Sequence, residues 1–244
     1  MKNLKASILL TLLVFSVSSF SSLDNLNSKL PVEIEDAEPM EAGTWNAQYL
    51  SEFKQAEGEE GQWRLAPEIR TGLEKGFQAT LRTPFLPGPN NDRSGSGDIE
   101  AELQYLLFES EAFNIGLSVM GIAPTGEGSQ GIDSEFKVAV SRDLGSKSHR
   151  LHVNVAHDYN AKPRADNNEQ LNYLLSSLGY SALLHDRVLL IVDVVHNQQK
   201  DSVKDENYGE VGLRYQLSRR FIAGLGLSAG EEIFLIRQGL QYDF

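Results

Sequence analysis

The sequence contains no cysteine, which excludes disulfides and the lipid-modified cysteine of a bacterial lipoprotein. Basic residues are also scarce, with 22 Lys and Arg against 34 Asp and Glu. Phosphate backbones are bound by clusters of basic side chains, so nucleic acid is not expected as a partner. Beyond the N-terminal region, no apolar run is long enough to form a transmembrane helix.

Residues 1–21 have the anatomy of a secretory signal peptide. Lys2 and Lys5 form a short basic region, the stretch from Ile8 to Val17 is apolar, and small serines follow. An apolar stretch of about ten residues is too short to span a bilayer as a helix. We therefore expect export and cleavage, which removes two lysines and leaves 20 basic against 34 acidic residues.

Residues 22–42 are acidic, contain proline and show no clear period, which predicts a flexible lead-in. From residue 43 to 244, apolar and polar residues alternate almost throughout, as in strands with one apolar and one polar face. Most of these segments have the length of a tilted strand that crosses a bilayer, about 9–11 residues. We count about twelve: 43–53, 62–73, 76–86, 97–108, 112–122, 133–143, 148–158, 170–184, 187–197, 206–217, 220–229 and 233–244.

The connections between these segments alternate in length. Long ones rich in Gly, Asn, Asp and Pro, such as 87–96 and 160–170, alternate with short ones such as Glu74–Lys75 and His185–Asp186. Outer-membrane barrels have short periplasmic turns and longer extracellular loops. The sequence therefore predicts an all-β, up-and-down antiparallel transmembrane barrel over residues 43–244. It has about twelve strands, with ten or fourteen as alternatives.

Periodicity alone does not distinguish a soluble barrel from a membrane barrel, in which the apolar face is outside. One predicted face carries nearly all the charge, and the other is almost free of it, as lipid contact requires. Aromatic residues of the apolar face lie at strand ends, like the two girdles of outer-membrane barrels. They are Trp45, Phe77, Tyr105, Phe113, Phe221, Tyr242 and Phe244 at the tight rim, and Phe53, Trp63, Phe85, Tyr173 and Phe234 at the loop rim.

The sequence ends at Phe244, inside an alternating segment. A sheet in lipid must close because no backbone group can remain unpaired there, so the first and last strands are expected to pair. Tyr242 and Phe244 also resemble the C-terminal recognition signal of bacterial outer-membrane barrels. That resemblance implies assembly of the protein by the barrel-assembly machinery.

Parts of the sequence resemble a family of outer-membrane transporters named after the MetA pathway of phenol degradation. The stretches are SGSGDIEAELQYLL, GLSVMGIAPTGEG and LGYSALLHDRVLLIVDV, and the resemblance covers roughly residues 95–244. The matching positions are Ser96, Gly97, Asp98, Tyr105, Pro124, Thr125, Gly126, Gly179 and Tyr180. Gln104 departs from the Lys that often precedes the strand-end Tyr in that family. The resemblance implies an outer-membrane barrel with a transport role, possible solutes being hydrophobic or aromatic compounds.

Charges of both signs on the polar face could select solutes in the lumen. The candidates for this pathway are Arg64, Glu68, Arg70, Arg82, Glu100, Glu102, Arg214 and Arg237. The alternative is that these charges pair and fill the lumen, because buried charges need partners. Inward-facing glycines favour open volume or an N-terminal segment tucked in as a plug: Gly116, Gly179, Gly212, Gly224, Gly226 and Gly239.

Pro124, Thr125 and Gly126 lie in a predicted extracellular loop and are candidates for a constriction or gate. The alternative is that Pro and Gly only set the backbone angles of a turn. Nearby acids lack the spacing of a calcium-binding loop, so we predict no metal site. We also predict no cofactor.

An outer-membrane lipid hydrolase is the enzyme alternative, and it requires a serine activated by a histidine. Ser176 and His157 are predicted on the lipid face of neighbouring strands. If the hairpin pairs Leu151 with Ser176, His157 lies about six residues, or roughly 20 Å, away. We therefore predict that the protein is not an enzyme.

These features together predict a monomeric, porin-like channel in the outer membrane of a Gram-negative bacterium. Its expected partners are outer-membrane lipid and a small-molecule solute that passes through the lumen by diffusion. A structural barrel with a filled lumen and a soluble periplasmic binding barrel are the remaining alternatives.

Overall fold

The alternating segments form the strands of one antiparallel sheet. A computed structural model describes residues 23, 25–26, 30–58, 60–87, 95–126, 131–146, 148–161, 172–198 and 205–244. The strands are β1 Trp45–Ala56, β2 Gln62–Glu74, β3 Phe77–Arg82, β4 Phe85–Leu86, β5 Gly95–Ser96, β6 Ile99–Glu109, β7 Asn114–Ala123, β8 Asp133–Asp143, β9 His149–Tyr159, β10 Asn172–His185, β11 Val188–Gln198, β12 Glu206–Gln216, β13 Phe221–Gly230 and β14 Ile233–Asp243. Within these described residues, no helix has the length and apolar character needed to cross a membrane.

The sheet closes into a barrel of twelve strands. β1 pairs with both β2 and β14, so Asn46 lies opposite Arg70 on one side and Asp243 on the other. Two of the barrel strands are interrupted, the third between β3 and β4 and the fourth between β5 and β6. The predicted fold class, strand number and closure are confirmed. Closure removes the free edges that an open sheet would expose.

The barrel has its polar face inside and its apolar face outside. Strand β9 illustrates this, because Arg150, His152 and Asn154 are buried while Leu151 and Val153 are 38% and 42% exposed. Large apolar side chains are exposed in the same way on every strand of eight residues or more. An exposed apolar band around a polar interior is the arrangement of transmembrane barrels.

Short connections lie at one rim of the barrel and most long connections at the other. Lys75–Gly76 closes the hairpin between β2 and β3, and Gly76 has φ +84°, a conformation that favours glycine. The exception to the alternation is Glu231–Glu232, a two-residue connection between β13 and β14 at the long-loop rim. We call the two rims the turn rim and the loop rim.

Aromatic side chains pair across strands at both rims. Phe77 stacks on Tyr105 at the turn rim, with ring centroids 4.4 Å apart. Phe53 packs against Trp63 at the loop rim, with centroids 5.1 Å apart. These pairs lie where the sequence predicts the two girdles.

The N-terminal part of the chain differs from its prediction. The expected signal peptide, residues 1–21, lies outside the described residues, as do residues 22, 24 and 27–29. Residues 30–42 do not form a flexible lead-in, because they enter the barrel and the side chains of Leu30, Val32, Ile34, Ala37 and Met40 are buried there. Inward-facing glycines leave room for them, and inward-facing cations attract their carboxylates, so the interior binds this stretch.

Candidate functional site: the lumen and the segment that crosses it

Residues 30–42 follow the inner wall of the barrel, and we call them the lumen segment. It joins the wall at the turn rim, where Gly43 N donates a hydrogen bond of 2.8 Å to Gly72 O. It then approaches β7 at Ala37, β10 at Ile34 and β13 at Leu30. The segment therefore contacts wall strands around most of the circumference.

An apolar cluster lies inside the otherwise polar barrel. It joins residues of the N-terminal region to inward-facing residues of β11 and β13: Leu23, Leu26, Val32, Ile34, Leu189, Ile191 and Ile222. The sequence did not reveal the wall part of this cluster, because β11 is apolar on both faces over much of its length. The cluster holds the segment by burial of apolar surface.

The six glycines predicted to face inward all face the segment or its side chains. A Cβ atom at Gly226 would lie 2.1 Å from Pro31 O, and one at Gly212 would lie 2.6 Å from Pro31 Cγ. At Gly224 it would lie 2.9 Å from Leu30 Cγ. Gly116, Gly179 and Gly239 make equally close approaches. The room that these glycines leave is occupied by the lumen segment, as in the plug alternative.

Side chains of the wall satisfy the backbone of the segment. Glu33 N donates to Glu210 Oε2 at 2.7 Å, Ile34 N to Asp193 Oδ2 at 3.1 Å, and Glu35 N to Asn154 Oδ1 at 2.7 Å. Ala37 N and Met40 N donate at 3.0 Å to Ser141 Oγ and Gln78 Oε1. A buried backbone N–H without a partner is costly, so these acceptors fix the path of an irregular chain.

Ion pairs add to this attachment. Four of the five carboxylates of the segment each contact a cation of the wall: Glu33, Glu35, Asp36 and Glu38. Lys137 Nζ lies 2.7 Å from Glu35, and Arg237 lies 3.2 Å from Glu33. Arg150 pairs with both Asp36 and Glu38. An acidic segment thus lies against a complementary wall.

A second group of charges pairs within the wall itself. Arg70 lies 3.0 Å from Glu68, and Glu68 lies 2.6 Å from Arg82. Arg82 lies 2.5 Å from Glu100, which lies 2.6 Å from Arg64. We call these five residues on β2, β3 and β6 the charge ladder.

All eight residues predicted for the solute pathway lie on the inner wall. Five form the charge ladder, and Glu102 lies 3.5 Å from Lys137. Arg214 donates to Asn25 O and Gln241, while Arg237 pairs with Glu52 and Glu210 in addition to Glu33. Their pairing agrees with the structural alternative, and their selection of solutes stays a prediction.

Of the predicted loop residues Pro124, Thr125 and Gly126, the last two contact residues at and just before the start of β6. Thr125 Oγ1 accepts a hydrogen bond from Ile99 N at 2.9 Å, and Gly126 N donates to Asp98 Oδ1 at 2.7 Å. A small pocket of 210 Å³ at this rim is lined in part by Arg64, Asp98, Glu100, Gly126 and Asp133. The role of this loop as a constriction stays a prediction.

Tyr242 and Phe244 lie at the seam where the barrel closes. Phe244 N donates to Trp45 O at 3.0 Å, and the Tyr242 ring lies 4.8 Å from Phe221 and 5.1 Å from Phe244. Their role in assembly stays a prediction. Elsewhere, no three His, Asp or Glu side chains among the described residues are placed to hold a metal ion.

The predicted register of the β9–β10 hairpin was wrong. Ser176 lies opposite Val155, not Leu151, so His157 is only two residues further along β9. The long connection between these strands does not fix their register, which side-chain packing on both neighbours decides. Ser176 also lies opposite His196 of β11, a neighbour that sequence reasoning did not consider.

Sequence reasoning also missed the partners of the lumen segment. Lys137 and Arg150 lie on the charged face of the predicted strands, but sequence reasoning assigned them to no site. The sequence did contain a signal for this attachment, because four carboxylates lie between residues 33 and 38 and the predicted lumen face also carries cations.

Neither a family model nor a curated protein matches the sequence, so the resemblance to the MetA-pathway family is not confirmed. Solved structures with a similar fold include the NanC porin, with TM-score 0.65 and 10% identity over 81% of this chain and all of that one. The KdgM porin has TM-score 0.61 and 10% identity over 82% of this chain and 99% of that one. The COG4313 outer membrane channel from Pseudomonas putida F1 has TM-score 0.62 and 15% identity over 87% of this chain and all of that one. At such identities the likeness concerns the fold.

Proposed function

We propose that this protein is a porin-like channel of the bacterial outer membrane, through which small molecules diffuse. One observation carries the proposal: a closed barrel with an apolar exterior encloses a polar lumen with a chain segment bound along its wall. The outer-membrane location is supported by the exposed apolar band and by the likeness to outer-membrane channels.

The lumen segment would set the width of the channel. Solutes would pass beside the charge ladder, of which Glu68, Arg70 and Arg82 are buried while the segment is in place. The segment leaves little room while it is in place, so the proposed solutes are small molecules. The resemblance noted above favours hydrophobic or aromatic compounds as these solutes.

Assembly would involve outer-membrane lipid around the apolar band and recognition of the strand that contains Tyr242 and Phe244. The barrel closes on itself within one chain, which is compatible with a monomer. A structural barrel with a filled lumen is the second candidate, because the charge ladder is already paired internally.

Solute flux into liposomes that contain the refolded full-length protein tests the proposal. Sugars, amino acids and small aromatic compounds should be compared, with folding verified by the change in gel mobility on boiling. Selective flux of one class would support the channel and identify its solutes. Absence of all flux from folded protein would contradict the channel and support the filled barrel.

A further inference from the structure

A row of polar side chains crosses the otherwise apolar outer face near the loop rim. Ser176 of β10 lies directly opposite His196 of β11, and His196 lies directly opposite Asn207 of β12. Their sequence neighbours Ser177 and Val195 are buried on the inner face, so the row faces outward. Three adjacent strands thus place a hydroxyl, an imidazole and a carboxamide side by side.

The contact between the last two fixes the chemistry of the imidazole. His196 Nδ1 lies 2.8 Å from Asn207 Oδ1. An amide oxygen can only accept, so a ring nitrogen that faces it must carry a proton, and in that tautomer of the neutral ring Nε2 is the base. Directly opposed residues of antiparallel strands have Cβ atoms about 4.5–5.5 Å apart. Ser176 Oγ forms no hydrogen bond to His196 in this structure, so a change of the Ser176 rotamer has to bring it to Nε2.

The row opens onto a groove of 760 Å³. The groove is lined by apolar side chains, including Val153, Leu178 and Val194. The small residues Gly209 and Ala229 also line it and leave space there. Leu178 and Val194 are more than half exposed on the outer surface. An acyl chain fits such a groove by its chemistry, and a membrane lipid is the molecule that surrounds this face if the barrel lies in a bilayer.

The row also lies close to the strand ends, at the depth expected for the ester groups of membrane lipids. Ser176 is four residues from the start of β10, and His196 is two residues from the end of β11, both at the loop rim. At about 3.3 Å per residue, the row is within roughly 7–13 Å of the strand ends. Lipid ester groups lie at the boundary between headgroups and acyl chains, which is the region near the ends of membrane-spanning strands.

We propose that Ser176, His196 and Asn207 form a serine-hydrolase site on the outer surface of the barrel, with carboxylic esters of membrane lipids as substrates. Ser176 Oγ attacks the ester carbonyl, and its proton moves to His196 Nε2. The ester C–O bond breaks, the alkoxide leaving group takes the proton from Nε2, and an acyl-serine remains. Water, deprotonated by the same nitrogen, then releases the fatty acid, so the sum is ester plus water to acid plus alcohol.

Asn207 is a positioning residue in this scheme because it orients the ring and does not touch the substrate. Backbone N–H groups of β9–β12 at the groove are engaged in the strand ladders, so few are available for an oxyanion. We therefore expect slow turnover compared with a hydrolase that has a preformed oxyanion hole, and covalent labelling is the more sensitive measurement. The site is separate from the lumen and depends on the proposed function only for its membrane location.

The test is reaction of the folded, full-length protein in detergent with a fluorophosphonate probe, with the labelled residue located by peptide mass spectrometry. We expect labelling at Ser176 and its loss in Ser176→Ala. His196→Ala should slow labelling by at least about 100-fold, the usual contribution of a general base. Asn207→Ala should slow it less, and its loss should be partly restored by Asn207→Asp.

Ser134→Ala is the matched control, because Ser134 is exposed on the outer face of β8 near the same rim and lies opposite Gly121 and Tyr159. The control should label like the wild type and should release fatty acid from phospholipid vesicles at the same rate. Folded protein that is not labelled at Ser176 would overturn the proposal. Labelling that survives His196→Ala but is lost in His157→Ala would overturn the assignment of the base.

Discussion

The wall formed by β12–β14 has glycines at several inward positions between its charged side chains, whereas the wall formed by β2, β3 and β6 carries the charge ladder. On the first wall, Gly212, Gly224 and Gly226 have no side chain, and Pro31 and Leu30 lie in the space that remains. On the second wall, the charge ladder fills the corresponding space with side chains that pair with each other. The space inside the barrel is therefore filled by the lumen segment at the first wall and by paired side chains at the second.

The difference shows what each kind of wall can bind. Glycines in a wall leave room for the backbone of another segment, whose N–H groups then need acceptors nearby. Glu210 and Asp193 supply them here, to Glu33 N and Ile34 N. In the charge ladder, the charged side chains already pair with each other, so they leave few groups free to bind a second segment. We therefore expect mutations on the two walls to have different effects on the lumen segment.

The largest effect is expected from Gly226→Ala. The new Cβ would lie 2.1 Å from Pro31 O, a backbone atom that cannot move without displacing the segment. We expect the segment to leave this wall and the conductance in planar bilayers to rise several-fold. The matched control is Gly121→Ala, whose new Cβ would have no atom within 4 Å. Equal conductance in both variants would show that the glycine wall does not hold the segment.

A comparison of Arg237→Ala with Arg82→Ala separates the two walls. Each change removes a buried cation from two or more carboxylates and should cost about 3–5 kcal/mol in free energy of unfolding. Only Arg237 also pairs with the segment, through Glu33 at 3.2 Å. Proteolysis of the folded barrels should therefore cleave the segment faster in Arg237→Ala, while Arg82→Ala should match the wild type. Faster cleavage in both would mean that overall loosening, not the specific pair, releases the segment.

The smallest effect is expected from Gln78→Ala, which affects the one hydrogen bond from Met40 N to a side chain of β3. A buried donor left without its acceptor costs about 1–3 kcal/mol. Hydrogen exchange at the Met40 amide should accelerate by roughly tenfold, since about 1.4 kcal/mol corresponds to that factor. The Glu35 amide, which donates to Asn154, is the internal reference and should not change. An unchanged exchange rate at the Met40 amide would mean that its hydrogen bond to Gln78 does not protect it from exchange.

The barrel itself was predictable because its signal is repeated along the chain. Alternation recurs in each segment, and the two aromatic girdles, the connection lengths and the closing pair of strands follow from the same membrane constraint. The segment in the lumen was harder to predict, because residues 30–42 have no period and their partners are spread over most strands of the barrel. The inward glycines indicated room, but room alone does not identify its occupant.

The register between neighbouring strands was the second feature that could not be predicted from the sequence. Ser176 was judged against His157 with an incorrect hairpin offset, and its opposite residue His196 lies in a different hairpin. Neighbours across strands depend on pairings that no local pattern encodes. Sites assembled from three strands are therefore the ones that sequence reasoning misses most easily.

A disulfide between the lumen segment and the wall tests the central claim most directly. The chain has no cysteine, and a Cβ at Gly179 would lie 3.2 Å from Ile34 Cβ, close to the spacing that a disulfide requires. In the double variant Ile34→Cys with Gly179→Cys, we expect rapid crosslinking in the folded barrel and lower conductance when oxidised than when reduced. The single variants should show neither effect. No crosslink in a folded double variant, or equal conductance in both redox states, would contradict a segment that narrows the channel.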